Sequence, residues 1–386
     1  MKLSRRPIVV GMSGGVDSSV ALLLLRRQGW DPIGLSLRQP LWEDSAHPSR
    51  GCVHDNTLSL KIAGEVCRSL AVPHHIIDVS PEFKKEVVGY FFKKMAQHRT
   101  PNPCVFCNRH FKIARLLAWA RRRGIRHVAT GHYARVRRDP GANRYELLKA
   151  RDTEKDQTYP LCFLSQEQLR HLILPLGSHT KQEIYHLARE NGFEFFQGHQ
   201  QSQDFCYVAA SSMGRFLRKE VGTKPGPMMD LSGSVLGEHQ GLHFYTIGQR
   251  KGLGLSGGPF FVISFDTVKN VLFVSKDPSR LMSKEAVLFP CNFPGGMPVK
   301  PLRVQVKIRY RQHAARATLF PLSARKAKVF FDRTQRAVTP GQFAVFYRRA
   351  VCLGGGEILP HSQDCGKPNP DRSKLSLDPR GGGKYT

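Results

Sequence analysis

The sequence predicts an α/β protein in which a doubly wound parallel sheet is followed by a small central domain and a C-terminal β-barrel. Three observations support this prediction. Strand-like and helix-like segments alternate through the first half of the 386 residues, which is typical of right-handed βαβ units. A Gly/Ser-rich loop joins the first strand-like segment to the first helix-like segment. Short β-type runs separated by turn residues dominate after residue 285, as they do in small barrels.

The Gly/Ser-rich loop lies between an apolar run, residues 7–10, and an amphipathic run, residues 21–28. The free N–H groups and the dipole at the N-terminus of such a helix favour an anion. No Gly-Lys-Ser/Thr follows, so the loop is not a Walker A loop. The pattern S-G-G-x-D-S instead resembles the PP-loop of enzymes that cleave ATP between its α and β phosphates. This resemblance implies ATP binding at Gly11, Met12, Ser13, Gly14, Gly15, Val16, Asp17 and Ser18.

The rest of the first domain, residues 1–207, continues the alternation. We predict further strands at residues 32–37, 74–79 and 126–130, and helices at 57–70, 81–95, 108–123, 166–174 and 180–191. The loop after the first strand would then lie at the carboxyl edge of the sheet, where doubly wound folds bind nucleotides.

The remaining chain is predicted to form three further parts. Residues 208–285 include a Gly/Pro-rich stretch and form the central domain, and residues 286–361 form the barrel. Its strand-like runs are residues 302–310, 327–331, 343–347 and 351–353. Residues 362–386 are basic and poor in apolar residues, so we expect a disordered tail.

The composition indicates a polyanionic partner. Fifty-nine Lys and Arg stand against 30 Asp and Glu, which gives a net charge of +29, and neutralising nucleic-acid phosphates releases counterions. No apolar run has spanning length and no signal peptide is evident, so we expect a cytoplasmic protein without a membrane contact. Nine cysteines without a disulfide-type spacing favour reduced thiols.

Three cysteines of the first domain are candidates for chemistry. Cys104 and Cys107 follow two prolines, and Cys206 lies at the end of the domain. We expect Asn108 to cap a helix there, and we expect the helix terminus, Arg99 and Arg109 to favour the thiolate form. A C-x-x-C pair by itself is compatible with a redox pair, half a zinc site or part of an iron–sulfur site.

Taken together, these features resemble one family, the tRNA-specific 2-thiouridylases, which convert the wobble uridine of certain tRNAs, U34, to 2-thiouridine. The resemblance runs from residue 7 to residue 358. The matching segments are residues 11–18, 99–103, 107–108, 129–134 (A-T-G-H-Y-A), 155–157 (K-D-Q), 204–206 (D-F-C), 245–254 (Y-T-I-G-Q-R-K-G-L-G), 309–311 (R-Y-R) and 340–347 (P-G-Q-F-A-V-F-Y).

The resemblance implies a role for each matching position. ATP with Mg²⁺ activates the uracil C2 oxygen, and the main chain at Leu37 and Gly131 places the adenosine. Cys107 is one catalytic cysteine, and Cys206 carries sulfur as a persulfide. Asn102, Pro103 and Cys104 border the target base. The implied tRNA contacts are His132, Lys155, Asp156, Gln157, Arg309, Tyr310 and Gln342.

One position departs from the family pattern. Most members have aspartate after Thr-Pro-Asn-Pro, whereas this chain has Cys104. Cys104, Cys107 and Cys206 could together hold a [4Fe–4S] cluster with one iron open for hydrosulfide. A zinc site is less favoured, because no fourth protein ligand is evident. A persulfide enzyme with a neutral substitution at Cys104 is the alternative.

Two other functions explain part of the sequence. A PP-loop ligase or amidotransferase acting on a small molecule would explain residues 13–18, but not the cysteines or the charge. A non-catalytic RNA-binding protein would not need an intact PP-loop. The expected partners are the anticodon stem-loop of tRNA and a sulfur-donor protein or hydrosulfide, and a monomer is the default oligomeric state.

Overall fold

A computed structural model describes residues 6–42, 56–193, 205–208 and 212–360. The predicted tail, residues 362–386, lies outside the described residues. Three sheets organise the described chain: one of five strands, one of four and one of eight. No helix in these ranges is long and apolar enough to cross a membrane.

The N-terminal part alternates strands and helices. In chain order it contains β1 (Arg6–Gly11), α1 (Val16–Arg27), β2 (Trp30–Arg38), α2 (Asn56–Ser69), β3 (His74–Asp78), α3 (Ser80–Phe83), a π-helical turn (Lys84–Val88), α4 (Gly89–Ala96), α5 (Pro103–Cys107), a second π-helical turn (Asn108–Lys112), α6 (Ile113–Arg121), β4 (His127–Ala129), β5 (Ala134–Asp139), β6 (Arg144–Lys149), α7 (Thr158–Leu161), α8 (Gln166–His171), β7 (Leu172–Ile173), a 3₁₀ turn (Pro175–Ser178) and α9 (Lys181–Glu190).

The first sheet has the order β3-β2-β1-β4-β7 with every pair parallel. β1 is central and fully buried at Val9 and Val10. The chain winds from β1 outward to β3 and then crosses to β4 on the other side. The loops after β1 and β4 therefore flank the point where the strand order reverses, where such sheets form their binding crevice. The doubly wound parallel sheet predicted from the sequence is confirmed.

Two features of this part differ from the prediction. Residues 166–174 were predicted as one helix, but α8 ends at His171 and Leu172 continues as β7 beside β4. The hairpin β5–β6 was not predicted at all, and it joins a different sheet. Its strands carry charged residues at most exposed positions, so the alternation of apolar residues is weak.

A small antiparallel-rich unit follows. It contains α10 (Met213–Glu220), β8 (Gly226–Met229), β9 (Val235–His239), a 3₁₀ turn (Leu242–Phe244), β10 (Phe261–Asp266) and β11 (Val271–Ser275). The sheet order is β10-β11-β8-β9, in which β8 and β11 are parallel. Met228, Val262, Leu272 and Val274 form its core.

The C-terminal part is a closed antiparallel barrel. After a 3₁₀ turn (Pro278–Leu281), it contains β12 (Met282–Asn292), β13 (Leu302–Lys307), β14 (Ala315–Ser323), β15 (Lys326–Arg336), β16 (Phe343–Arg348) and β17 (Val351–Ile358). Pairing of β12 with β17 closes the six strands, which confirms the predicted barrel. β17 also pairs with β6, so the hairpin β5–β6 extends the barrel sheet.

The barrel and the parallel sheet share one core. Phe343, Val345 and Tyr347 of β16 pack in the same cluster as Trp119 of α6 and Tyr159 of α7. The domain boundaries at residues 207 and 285 stay a prediction, since the hairpin of the first part pairs with the last strand of the chain.

Candidate active site

The loop after β1 leaves the N-terminus of α1 open. Gly15 is the N-cap residue, and no side chain caps the helix. The Ser18 hydroxyl accepts a hydrogen bond from the Ser13 N–H (3.2 Å) and donates one to the Gly15 carbonyl (2.9 Å), which fixes the loop. Backbone N–H groups of the first turn therefore stay available for an anion.

Two glycines allow backbone segments to approach this turn. Gly14 has φ +75°, and a Cβ there would lie 2.2 Å from the Ser59 carbonyl oxygen of α2. Gly131 follows β4, and its Cβ would lie 2.8 Å from the Ser18 nitrogen. Leu37 lies near the carboxyl end of β2 and is half-buried. The structure thus brings the predicted loop, Leu37 and Gly131 to the same edge of the sheet.

A buried lysine at this edge was not identified from the sequence. The Lys181 ammonium lies 2.6 Å from the Asp17 carboxylate, and the side chain of Lys181 is 7% exposed. The Tyr133 hydroxyl donates a hydrogen bond to the same Asp17 oxygen (2.8 Å). Lys181 is the first residue of α9, directly after the capping residue Thr180. Its separation from Asp17 by 164 residues hides this contact from any local pattern.

The thiol-bearing helix is capped by a different residue from the one predicted. Asn102 is the N-cap of α5, and its side chain accepts a hydrogen bond from the Val105 N–H (3.4 Å). Asn108, which we expected to cap, is instead buried and donates from Nδ2 to the Pro160 carbonyl (3.3 Å). Pro103 occupies the first helical position, which suits proline.

Burial is the largest influence on the pKa of two of the three thiols. Cys107 and Cys206 pack in one aromatic cluster with Phe111 and Phe205. Burial raises the pKa of Cys107 to about 12, and it also raises the pKa of Cys206. The Cys206 thiol donates a hydrogen bond to Gln39 Oε1 (3.8 Å). The expectation that the helix terminus would favour the thiolate form was therefore wrong for Cys107, because desolvation outweighs it.

The two arginines that we expected to stabilise the thiolates contact other groups instead. The Arg109 guanidinium donates to the Phe163 carbonyl and to Asn292 Oδ1 (2.7 Å). Arg99 pairs with Glu357 (3.1 Å). The cation that acts on the thiols is Lys112, whose charge lowers the pKa of both Cys107 and Cys206 and partly offsets their burial.

The third thiol has different surroundings. Cys104 is exposed in the first turn of α5, and its interaction with Cys107 contributes to the raised pKa of Cys107. Among the described residues, no three His, Cys, Asp or Glu side chains are grouped so that they could hold a metal ion. The assignment of Cys104, Cys107 and Cys206 as ligands of a [4Fe–4S] cluster stays a prediction.

His132 connects the nucleotide edge with the thiols. It follows Gly131 and its Nδ1 lies 2.8 Å from the Thr130 hydroxyl. Burial and the nearby Lys112 charge lower the pKa of His132 to about 3, so the ring is neutral at physiological pH. Lys112 is therefore close enough to influence His132 and both buried thiols. Gly131, the residue before His132, approaches the N-terminus of α1.

The segment Lys155–Gln157 is held by internal hydrogen bonds. Asp156 is buried and accepts from the Ala150 N–H (3.0 Å) and the Thr158 hydroxyl (2.6 Å). Gln157 Oε1 accepts from the Tyr133 N–H (2.8 Å). In this structure the side chains of Asp156 and Gln157 support the turn, while Lys155 is half-buried.

The predicted barrel positions face the same region. Arg309 donates to the Ala337 carbonyl and to the Thr339 hydroxyl. The Tyr310 ring is 39% exposed, and its centroid lies 6.0 Å from that of Tyr159. Gln342 Oε1 lies 3.5 Å from Asn102 Nδ2, next to the thiol-bearing helix.

Two cavities lie near the parallel sheet and the barrel. The larger, of about 1120 Å³, lies beside α2 and includes Gln39, the partner of Cys206, and Tyr207 in its lining. The smaller, of about 570 Å³, lies where the central sheet meets the barrel. Its lining includes Phe261 and the exposed guanidinium groups of Arg250 and Arg336.

The fold and this site define a nucleotide-binding α/β protein of the PP-loop class with one buried and one half-buried thiol. A family model described as tRNA methyl transferase HUP domain matches residues 6–210. Models described as tRNA methyl transferase PRC-barrel domain and Aminomethyltransferase beta-barrel domain match residues 214–276 and 283–358. The chain belongs to the tRNA-specific 2-thiouridylase family, and the expected resemblance is confirmed.

Two relatives illustrate this membership. A protein of Acetivibrio thermocellus named tRNA-specific 2-thiouridylase MnmA is 38% identical over 92% of this chain and 100% of the relative. A protein of the same name from Moorella thermoacetica is 42% identical over 91% of this chain and 98% of the relative. Both alignments span nearly the full relatives.

A solved structure is similar over part of the chain. The U34-tRNA thiolase NcsA from Methanococcus maripaludis with its [4Fe–4S] cluster is 18% identical, with a TM-score of 0.31, over 55% of this chain and 65% of that chain. A likeness of this extent supports no conclusion about the present site.

Proposed function

We propose that the chain is an ATP-dependent tRNA-uridine 2-sulfurtransferase that forms 2-thiouridine at the wobble position, U34. The observation that carries this proposal is the closeness of Gly131 to the first turn of α1. The next residue, His132, and the thiols of Cys107 and Cys206 all have pKa values that the Lys112 charge lowers. This common influence supports a nucleotide site near the sulfur-bearing thiols.

In the first step, ATP adenylates the uracil C2 oxygen. This oxygen is a poor leaving group, whereas AMP leaves readily, and pyrophosphate departs from the α phosphate. The open N–H groups of α1 and the Lys181 ammonium would stabilise the charge that develops on the phosphates. Mg²⁺ would accompany ATP, with the Asp17 carboxylate and Ser18 hydroxyl of the loop as the oxygen ligands at hand, and would offset phosphate charge.

In the second step, sulfur replaces the activated oxygen. The terminal sulfur of a Cys206 persulfide attacks C2, and AMP leaves. The Cys107 thiolate attacks Sγ of Cys206, which breaks the bond to the transferred sulfur and leaves a Cys107–Cys206 disulfide. A dithiol reductant must then reduce this disulfide before the next cycle. The shared cluster of both cysteines and the Lys112 charge support this pairing.

Among the described residues no three ligands are grouped around a single metal ion, and we favour the persulfide route over a [4Fe–4S] cluster at Cys104, Cys107 and Cys206. We therefore propose that Cys104 borders the target base with Asn102 and Pro103. The sulfur source in this route is a sulfur-donor protein whose own persulfide passes its outer sulfur to the Cys206 thiolate and leaves the donor as a thiol, whereas hydrosulfide would serve only the cluster alternative. The cavity beside Gln39 gives a route toward Cys206.

The RNA would lie across the barrel and the central domain. We propose that Arg309, Tyr310 and Gln342 contact the anticodon stem-loop together with His132 and Lys155–Gln157. The smaller cavity adds Arg250 and Arg336 on the same face of the barrel as Arg309, since Gly248 borders both. The net charge of +29 supports a phosphate-rich partner. A monomer and a cytoplasmic location stay predictions from the sequence.

Release of pyrophosphate from ATP with and without tRNA tests the activity. We expect release that tRNA stimulates, followed by 2-thiouridine in the digested tRNA when a persulfide-carrying donor protein and a dithiol reductant are supplied. Release that ignores tRNA would instead indicate a small-molecule ligase, and no release would indicate an RNA-binding protein.

Iron and sulfide analysis after anaerobic purification tests the route. We expect no stoichiometric iron, with thiolation retained in Cys104→Ala and abolished in Cys107→Ala and Cys206→Ala. About four irons per chain that are lost in Cys104→Ala would overturn the persulfide route and establish a cluster.

A further inference from the structure

The barrel forms hydrogen bonds with the segment that leads into the thiol-bearing helix. We call residues 99–104 the thiol loop, because they end at Cys104 in the first turn of α5. The Thr100 N–H donates to the Pro340 carbonyl (2.9 Å), and Gln342 Nε2 donates to the Thr100 carbonyl (3.4 Å). Asn102 Nδ2 also donates to Gln342 Oε1 (3.5 Å). These bonds join two segments that lie some 240 residues apart in sequence.

A glycine makes the close approach feasible. Gly341 has φ +90°, and a Cβ there would lie 2.7 Å from the Thr100 carbonyl oxygen and 2.8 Å from the Arg99 Cβ. Any larger residue would force the thiol loop and the barrel apart by several tenths of an ångström. The barrel therefore sets the position of the thiol loop at its tightest point.

A buried carboxylate holds the other side of the loop. Glu357 of β17 is 3% exposed, and both of its oxygens lie 2.6 Å from the Lys94 ammonium at the end of α4. The Arg99 guanidinium, at the start of the thiol loop, lies 3.1 Å from the same carboxylate. Charge-assisted hydrogen bonds of this kind are short and directional, so Glu357 fixes both ends of the connection between α4 and the loop.

We infer that the barrel, through Gly341 and Glu357, is a positioning element that aligns the thiol loop with tRNA bound at Gln342. This inference rests on the proposed function and goes beyond it, because it assigns a role to residues that touch neither ATP nor the base. Gln342 is a proposed tRNA contact and also bonds the thiol loop. Binding of tRNA to the barrel and placement of its base beside the thiol loop are therefore coupled through Gln342.

The matched pair Gly341→Ala and Gly296→Ala tests the inference. Gly296 lies in the barrel between β12 and β13 with φ +89°, and nothing lies within 4 Å of its Cβ position. Both variants thus impose the same backbone strain, and only Gly341→Ala pushes on the thiol loop. We expect Gly341→Ala to lower kcat for tRNA-stimulated pyrophosphate release about 10- to 100-fold, because small misplacements of reacting groups have effects of this size.

Two further readouts separate positioning from a structural role. The Kd for tRNA should stay within about twofold of the Gly296→Ala value, because the cationic contacts of the barrel remain. The rate of Cys104 alkylation by iodoacetamide should change severalfold in Gly341→Ala alone, and this readout does not depend on the enzyme being active. Equal kcat and equal Cys104 reactivity in both variants would overturn the inference, whereas an inactive wild type would overturn only the proposed function.

Glu357 is tested as a positioning residue by charge rescue. Glu357→Gln keeps the shape but leaves Lys94 and Arg99 without their counter-charge, so kcat should fall while the KM for tRNA is unchanged. Replacing Lys94 by Met in the Glu357→Gln background removes the surplus buried cation and should restore part of kcat. A Glu357→Gln variant with wild-type kcat, or one whose only change is a raised KM, would contradict this role.

Discussion

At Cys107 two opposite influences act on one thiol. Lys112 favours the charged form, while the surrounding Phe111 and Phe205 remove the water that a thiolate needs. The pKa of about 12 shows that desolvation is the larger of the two. A thiol that is protonated in the free enzyme is protected from adventitious oxidation. It needs to lose its proton only when substrates occupy the site.

This balance predicts how alkylation of the thiols depends on pH. Only the thiolate reacts, so iodoacetamide labelling of Cys107 should rise about tenfold per pH unit between pH 7 and 10 without a plateau. The exposed Cys104 should be labelled first at every pH. Lys112→Met removes the offsetting charge and should slow labelling of Cys107 further. Peptide mass spectrometry of a labelling time course measures both sites, and a plateau for Cys107 near pH 7 would contradict the prediction.

Lys181 is predicted to act at the phosphates. Lys181→Ala removes the ammonium paired with Asp17 and should reduce pyrophosphate release about 100-fold or more, as loss of a preorganised electrostatic group does. Lys269→Ala, at an exposed lysine of the central domain, serves as the control. The check is the rate of tRNA-stimulated pyrophosphate release at saturating ATP. Equal rates in the two variants would exclude the assigned role.

At the scale of secondary-structure elements, the nucleotide loop depends on how closely α2 approaches it. Gly14 combines a positive φ with a clash against the α2 backbone, since its Cβ would lie 2.2 Å from the Ser59 carbonyl oxygen. A backbone atom cannot move aside as a flexible side chain can. The loop and α2 must therefore shift together if Gly14 is replaced.

The pair Gly14→Ala and Gly29→Ala tests this dependence. Gly29 follows α1 with φ +79°, and its Cβ position has no neighbour within 4 Å. Gly29→Ala should lower the free energy of unfolding by about 1–2 kcal/mol, the strain of a left-handed residue. Gly14→Ala should lower it by more and should also abolish ATP-dependent stabilisation in thermal unfolding. ATP stabilisation that is equal in both variants would be the contrary result.

The elements that sequence patterns predicted are those with strong local signals. The strand–loop–helix of residues 7–28 combines an apolar run, a glycine pair and an amphipathic helix, and it forms as expected. β7 has two residues, and it forms because it pairs with β4 and packs in the core, neither of which a local pattern encodes. Asn108 had the right residue type for a cap, but Pro103 lets the helix start five residues earlier.

At the scale of the whole molecule, the arginines differ in whether a carboxylate already neutralises them. Most cations of the chain could serve solubility alone, but Arg336 stacks on Phe261 at 4.9 Å and lines the smaller cavity. Arg303 is instead matched by Asp332 through two contacts of 2.8 and 2.5 Å. A guanidinium that is not paired with a carboxylate binds a phosphate more favourably, because no existing ion pair must be broken first.

This contrast predicts different salt dependences for tRNA binding. Arg336→Ala should reduce the slope of log K against log salt concentration by about one, the effect of losing one phosphate contact. Arg303→Ala should leave the slope unchanged within error. Fluorescence anisotropy with labelled tRNA between low and moderate salt provides the slopes. An equal change of slope in both variants would mean that the effect comes from the overall positive charge and not from a phosphate contact of Arg336.

The candidate site was predictable where its residues are adjacent in sequence. The loop at Gly11–Ser18 and the thiol loop each carry their own pattern. Lys181 and Glu357 were missed because each acts on a partner brought near only by the fold. Lys112 is local to Cys107, at the end of the turn that follows α5, but its effect on Cys206 and His132 also depends on the fold. Lys181 meets Asp17 across 164 residues, and Glu357 meets Lys94 across 263. Such pairs depend on topology, which single-sequence patterns do not encode.

The hairpin β5–β6 has a consequence for how the chain is made. Leu147 and Leu148 of β6 pair with Val351 and Cys352 of β17, which leave the ribosome about 200 residues later. At about 5–20 residues per second, the edge of β6 lacks its partner for roughly 10–40 s of synthesis. An open strand edge invites pairing with other chains. Nascent chains arrested before β17 are therefore expected to be the aggregation-prone and chaperone-dependent species of this protein.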